Sequence, residues 1–236
     1  MTDSQDPRKN AVLQQLPDAE FQRLLDRAEL VDAQVRDQVY MPGEPATAVY
    51  FPLSAVYSLV AVADERILVE VATVGHEGMV GLPLFLGASS SPHAAFCQIP
   101  GQAVRLGADD LRRVLSDDGV LHRVLNRLTQ ATMVQVAQNV VCNNSHELEQ
   151  RAARWLLTTR DRVNGDSYPL TQEFLAQMLG ARRPTVSQTA RRLQDRGLIR
   201  YSRGVVHLLD RDGLQELACS CYYIVRREFA AMTEGQ

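Results

Sequence analysis

Apolar positions recur with two different periods along this chain, and the change of period divides it. In PDAEFQRLLDRAEL, Phe21, Leu24, Leu25 and Ala28 fall at i, i+3, i+4 and i+7, which predicts an amphipathic helix through that stretch. Short runs rich in Val, Tyr and Ile then take over at 38–40, 48–51, 55–63, 67–74, 94–98 and 102–106. Turn residues separate them: Pro42-Gly43, Asp64-Glu65, Gly75 and Pro100-Gly101. Many short strands at such spacing predict an antiparallel sandwich or barrel. From Asp109 the period is helical again. The stretch 120–141 holds no Gly or Pro, and Leu121, Val124, Leu125, Leu128, Ala131, Val134, Val136, Val140 and Val141 go most of the way round it. A helix of that length spans over ~30 Å. It should be buried on more than one side, against the β domain and against a copy of itself. HELEQRAARWLLTTRDRV reads as a further helix with Leu148, Ala152, Trp155 and Leu156 inward, ended by NGDS at 164–167. The expected organisation is α+β: a flexible N-terminus over 1–12, a β domain over 13–118, a central helix over 119–144, and a C-terminal domain over 145–236. The join near 143–145 lies between two helices without a flexible linker.

Composition sharpens this where charge is concerned. With 45% apolar and 22% charged residues the chain reads as globular. The net charge of −3 hides an asymmetry. Residues 146–236 carry 14 Arg against 11 acids, whereas the first 145 carry 11 Lys and Arg against 17 acids. Between Arg182 and Arg203 there are seven Arg and one acid, the footprint of a polyanion partner. No stretch has the build of a signal peptide, and no apolar run reaches the ~18 residues of a membrane span. Four cysteines do not make a disulfide framework in a chain of this size, so a cytoplasmic protein with reduced thiols is the expectation. Asp212 onward reads as helix, where side chains two apart do not face each other. Cys219 and Cys221 are therefore read as small packing residues, with a strained pair or a metal shared with Cys142 as the alternative. No metal ligand set and no cofactor are assigned.

The segment LGARRPTVSQTARRLQDRGLI carries the candidate chemistry. Upstream, Thr171 can cap the helix QEFLAQML, whose stripe is Phe174, Leu175, Met178 and Leu179. Gly180 supplies a tight turn between two helices. Pro184 lacks an N–H, which costs nothing at a first helical position, and it disfavours helix at Arg183, so the second helix should begin at Pro184. Within it Val186, Ala190 and Leu193 face the core. Arg183, Ser187, Gln188 and Arg191 lie opposite, with Arg192 and Arg196 towards the flank. A helix fits the major groove, where Arg can grip a guanine edge and Gln an adenine edge, and marginal arginines meet phosphates. GLIRYSRGVVHLLDRDGL then reads as strand, Ser-Arg-Gly turn and returning strand, a wing with Arg203 at its tip. Double-stranded DNA is the partner these features point to.

These residues resemble the C-terminal helix-turn-helix of the Crp/Fnr family of bacterial transcription regulators. PGEPATAVYFPLSAVYSLV and VGHEGMVGLPLFLG stand where that family has its β-roll sensor. The resemblance covers about residues 13 to 227. It implies a jelly-roll effector domain, a long central dimerisation helix and a winged helix-turn-helix. It implies a homodimer on a pseudo-palindromic operator, with Leu121, Leu125, Leu128 and Thr132 as interface residues and RNA polymerase as a further partner. By position the family's base-reading residues fall on Arg183, Pro184 and Gln188, with Arg182, Thr185, Ser187 and Arg191 as phosphate or secondary contacts. Members reading the TGTGA-type half-site have Glu and Arg where Pro184 and Gln188 stand. The effector site would fall on Gly81, Leu82, His93, Ala94 and Val136. Leu82 replaces the acid that holds the ribose, and His93-Ala94 stands near the family's phosphate-binding Arg-Ser pair. A cyclic nucleotide is therefore not the expected effector, and the small molecule sensed is left open. The iron–sulfur branch uses N-terminal cysteines, and here none precedes Cys97. Haem would need an axial ligand such as His76, His93 or His122. An enzyme built on the β domain would need clustered His and carboxylates, but only Glu44, Glu70, His76 and Glu77 are scattered there, so none is expected. A sensor acting through a protein partner without DNA, or a cyclic-nucleotide-dependent regulator, remains the alternative.

Overall fold

The computed structural model describes residues 6–63, 67–115, 119–163 and 165–233. The N-terminal half runs α1 (Ala11–Gln14), α2 (Asp18–Leu25), β1 (Ala28–Ala33), β2 (Gln38–Tyr40), β3 (Ala48–Pro52), β4 (Val56–Ala63), β5 (Ile67–Val74), α3 (Leu82–Phe85), β6 (His93–Ile99), β7 (Gly101–Gly107) and α4 (Ala108–Val114). There follow α5 (Val120–Ser145), α6 (Leu148–Val163), β8 (Ser167–Pro169), α7 (Gln172–Met178), α8 (Arg183–Asp195), β9 (Ile199–Ser202), β10 (Val205–Leu208), α9 (Arg211–Leu217) and α10 (Cys221–Thr233). Strands β1, β7 and β3 form one antiparallel sheet, and β2, β6, β4 and β5 the other. The two enclose a core with Val49, Phe51, Tyr57, Ala95 and Leu106, so the β region is a sandwich. No described helix is long and apolar enough to cross a membrane.

Several expectations shift. The helical pattern through Ala28 breaks at Leu25, and Ala28 instead opens β1, paired with Leu106 of β7. Six residues of ladder to a distant strand outweigh one more helical turn. The stretch expected to be flexible over 1–12 is fixed from Asp6 onward. Fully buried Asn10 accepts from the N–H groups of Val12 and Leu13 and donates to the carbonyls of Pro52 and Gly78. Residues 1–5, the turn expected at Asp64-Glu65, the boundary at 118 and Asn164 of the NGDS break lie outside the described residues.

Helix α5 covers the sandwich with Leu121, Val124, Leu125 and Leu128. Leu121, Leu125 and Leu128, expected at a dimer interface, are 3%, 0% and 2% exposed and spent on their own chain's core. Thr132 is half-buried, its hydroxyl donating to the Leu128 carbonyl. Further along, Gln135 and Asn139 bury their amides and donate to the carbonyls of Thr73 and Val71 on β5, an edge strand. That caps otherwise orphaned edge carbonyls. The face left uncovered is a different one: Met133, Ala137 and Val140 are exposed, flanked by half-buried Thr129 and Val136. The steps from 129 to 133, 136 and 140 follow the 4-3-4 spacing of a two-helix seam.

The C-terminal domain wraps Trp155, Leu156, Leu175, Val186, Leu193 and Val206 into one core, and Val56, Val60 and Ile99 of the sandwich join it. Its sheet has the order β8-β10-β9. Strand β8, absent from the sequence expectation, adds Tyr168 opposite Val206. Two carboxylates stitch the domains. Glu70 of β5 is 6% exposed, accepts 2.6 Å from the Trp155 indole and lies 2.7 Å from Ser58 Oγ, which is itself 2.7 Å from Gln98. Glu77 pairs with Arg162 of α6 at 2.6 Å.

Candidate nucleic-acid interface

Thr171 holds extended backbone ahead of α7, and its Oγ1 accepts from the Phe174 N–H at 3.1 Å. At the other end Gly180 (φ +57°) takes the left-handed conformation. Its N–H reaches the Gln177 carbonyl and that of Ala181 the Ala176 carbonyl, the double bond pattern of a Schellman cap. The same closure ends α8, with Gly197 (φ +73°) bonding to Gln194 and Leu198 to Leu193. Two helices with such stops are rigidly angled, and Ser187 ties them further by donating to Gln172 Oε1 at 2.8 Å.

Helix α8 begins at Arg183, one residue before the expected start. Arg182 takes the extended backbone (φ −69°, ψ 134°), and Pro184 sits in the first turn, where a missing N–H is still harmless. Val186, Ala190 and Leu193 are buried. Arg182, Arg183, Pro184, Thr185, Gln188, Arg191 and Arg192 are all exposed. Among the described residues no carboxylate pairs with Arg182, Arg183, Arg191 or Arg192. Arg196 differs: it is held 2.9 Å from Glu149. Ser187 is half-buried and already engaged with α7.

The wing is a two-residue hairpin in which Ser202 pairs with Val205. Arg203 (φ +49°) and Gly204 (φ +78°) both have positive φ, as a type I′ turn requires. Arg203 is exposed at the tip, on the same domain as the arginine face of α8.

The positions carried over to an effector site are dispersed in role. Gly81 (φ +106°) opens α3, and a Cβ there would meet Val49 Cγ1 at 2.8 Å. Leu82 and Ala94 are buried. His93 is half-buried, its backbone N–H bonded to Ser91 Oγ, and Val136 is half-buried on α5. None is Lys or Arg. A cavity of about 330 Å³ lies elsewhere, between the turn at His76-Glu77 and helices α6 and α10. Three of the four arginines lining it are paired, Arg162 with Glu77, Arg160 with Asp166, and Arg211 with Asp161 at 3.9 Å; Arg226 is the fourth.

The cysteines depart most from expectation. Helix α9 stops at Leu217, Ala218 turns extended (ψ 143°), and α10 starts at Cys221, so 212–221 is not one helix. The break brings Cys219 Sγ to 3.5 Å from Cys142 Sγ, and Cys221 Sγ to 3.7 Å from His146 Nδ1. His146, the residue capping α5, carried no signal in the sequence beyond its i, i+4 spacing from Cys142.

Residues 150–217 match the family model of the Crp-like helix-turn-helix domain. No curated protein matches the chain by sequence. Solved structures resemble it over its length. FixK2 from Bradyrhizobium japonicum is 18% identical, covers 81% of this chain and 98% of its own, and superposes with a TM-score of 0.69. A CRP-family transcriptional regulator from Thermus thermophilus is 22% identical over 80% of this chain and 96% of its own, with a TM-score of 0.67. The c-di-GMP-responsive global regulator CLP of Xanthomonas campestris is 17% identical over 82% and 100%, with a TM-score of 0.63. The resemblance read from the sequence holds for residues 150–217, which match a Crp-like helix-turn-helix domain, and the β-sandwich and long-helix fold around them is the one those solved structures share.

Proposed function

We propose that this chain regulates transcription as a homodimer bound to two DNA half-sites about one duplex turn apart. The observation that carries this is the outer face of α8, where Arg182, Arg183, Arg191 and Arg192 are exposed and have no carboxylate partner among the described residues, on a helix set between the glycine closures at Gly180 and Gly197. Leaving four such charges unpaired on one face is self-repulsive unless a polyanion meets them. In this reading Arg183 grips a guanine and Gln188 an adenine. Arg182, Thr185, Arg191, Arg192 and Arg203 contact phosphates. Pro184 offers only shape, and Thr171 and Ser187 hold the two helices at their angle. The row of exposed Met133, Ala137 and Val140 with half-buried Val136 supports pairing of α5 with its copy. RNA polymerase is the machinery such a dimer would recruit or obstruct.

The sandwich acts as the sensor in this reading, for a small molecule other than a cyclic nucleotide. Residues 81–96 contain no Lys or Arg, so a phosphodiester buried there would lose its hydration without a counter-charge. The test is selection of bound duplexes from a random pool, followed by gel shifts over a salt series with and without cyclic AMP. Expected are two half-sites, affinity falling steeply with salt, and no response to cyclic AMP. Absence of any salt-sensitive retention would overturn the proposal.

A further inference from the structure

We propose that Cys142, His146, Cys219 and Cys221 bind a single zinc ion that locks the foot of α5 to the turn between α9 and α10. Their four donor atoms all lie within 4.8 Å of one another. The Cys142–Cys219 separation is 3.5 Å and the Cys221–His146 separation 3.7 Å. A tetrahedral zinc with Zn–S near ~2.3 Å sets its ligand atoms roughly 3.5–3.8 Å apart, so two edges of that tetrahedron already stand. The groups converge on a point rather than pairing off, since a disulfide needs sulfurs at ~2.05 Å. Three thiols and an imidazole form a soft, closed S₃N set, which selects zinc over the oxygen-seeking cations.

The local structure is built for this. Cys142 and His146 are one helical turn apart on the end of α5, and the His146 N–H still closes onto the Cys142 carbonyl. Cys219 and Cys221 flank the break that separates α9 from α10. All three cysteines are buried and cluster apart from the two main cores. Three thiolates around Zn²⁺ leave a net charge of −1. Arg154 is 8% exposed, lies within electrostatic reach of all three thiols, and has no hydrogen-bond partner at Nε. A buried, incompletely bonded cation beside the cluster is what an anionic metal centre would neutralise. Binding expels the thiol protons to solvent, so it weakens as pH falls.

The ion would sit under residues 145–147, where α5 hands over to α6. It would fix the angle between the seam-bearing helix and the DNA-binding domain. The test uses the full chain, purified under reducing conditions. Elemental analysis is expected to give one zinc per chain. Cobalt substitution is expected to give the ligand-field bands of a tetrahedral site with intense thiolate charge transfer. Cys219→Ser and Cys221→Ser should each weaken zinc binding beyond the roughly 10–100-fold cost of losing an outer-shell partner. Should either variant fail to fold, alkylation of the parent decides: zinc protects Cys142, Cys219 and Cys221, and a chelator exposes them. A parent chain that takes up no zinc or cobalt overturns the proposal. So does iron with labile sulfide, uptake unchanged in Cys221→Ser, or no protection of the three thiols.

Discussion

Glu70 offers a quantitative probe of how the two domains are held together. Its carboxyl is the shared partner of the Trp155 indole and the Ser58 hydroxyl in a site with 6% exposure. Glu70→Ala leaves the Trp155 N–H unpaired, while Ser58 keeps Gln98 as its acceptor at 2.7 Å, so a loss of about 1–3 kcal/mol follows. At this chain length each kcal/mol moves the melting temperature by about 2–4 °C, so the midpoint should fall by roughly 2–12 °C. Burial pushes the Glu70 carboxyl above its ordinary range, against weaker opposing pulls from Ser58 and Trp155. The folded chain therefore keeps a proton that the unfolded chain loses near pH ~4.3. Stability from this group is complete below that pH and declines as pH rises through the raised folded value. Glu70→Gln preserves the shape, can donate to Ser58 and accept from Trp155, and cannot titrate. Thermal melts over a pH series should show it near parental stability in mild acid and gaining on the parent as pH rises. A parental pH slope in Glu70→Gln, or a Glu70→Ala midpoint unchanged, would refute the reasoning.

Glu77 should give the opposite limb. Burial pushes its carboxyl up, but Arg162, His76 and the Gly75 N–H outweigh that and hold it below the ordinary range, so its contribution is lost as pH falls through the folded value. Glu77→Gln strands the buried Arg162 charge, costing about 3–5 kcal/mol near neutral pH in denaturant titrations and flattening the acid side of the profile. Gly75→Ala puts a Cβ 2.6 Å from Arg162 Cβ, and the overpacking should cost about 1–3 kcal/mol in the same titrations. Charging the uncovered seam with Met133→Glu and Val140→Glu together should yield monomers in sedimentation with a parental circular dichroism spectrum, since both side chains are more than half exposed at 63% and 59%.

Local patterns told a great deal here, and their failures have physical causes. Alternation and turn residues located β2 to β7, because each strand's signal is its own. Strand β1 escaped because Ala28 suits a helical stripe and its strand identity comes only from pairing with β7. In α5, apolar residues on several faces cannot say which face the sandwich takes; Leu121, Leu125 and Leu128 went inward and left Met133 and Val140 outside. The spacing of Val186, Ala190 and Leu193 gave the buried stripe of α8, and with it the exposure of Arg183, Gln188 and Arg191. The cysteine cluster was legible only as the lesser alternative of Cys219 and Cys221 with Cys142, because it depends on a helix break at Ala218 and on His146, 73 residues before Cys219. The Glu70 joint was equally hidden, since Trp155 lies 85 residues away from it in the chain.

The central claim rests on a helix face that meets a duplex groove, and one variant tests it most directly. Arg183→Ala touches no other described residue's ion pair, so its melting temperature should equal the parent's. Against duplexes selected by the parent, gel shifts should show affinity lower by about 1–3 kcal/mol and preference lost at a single base pair of each half-site. Binding as tight and as selective as the parent's would contradict the account.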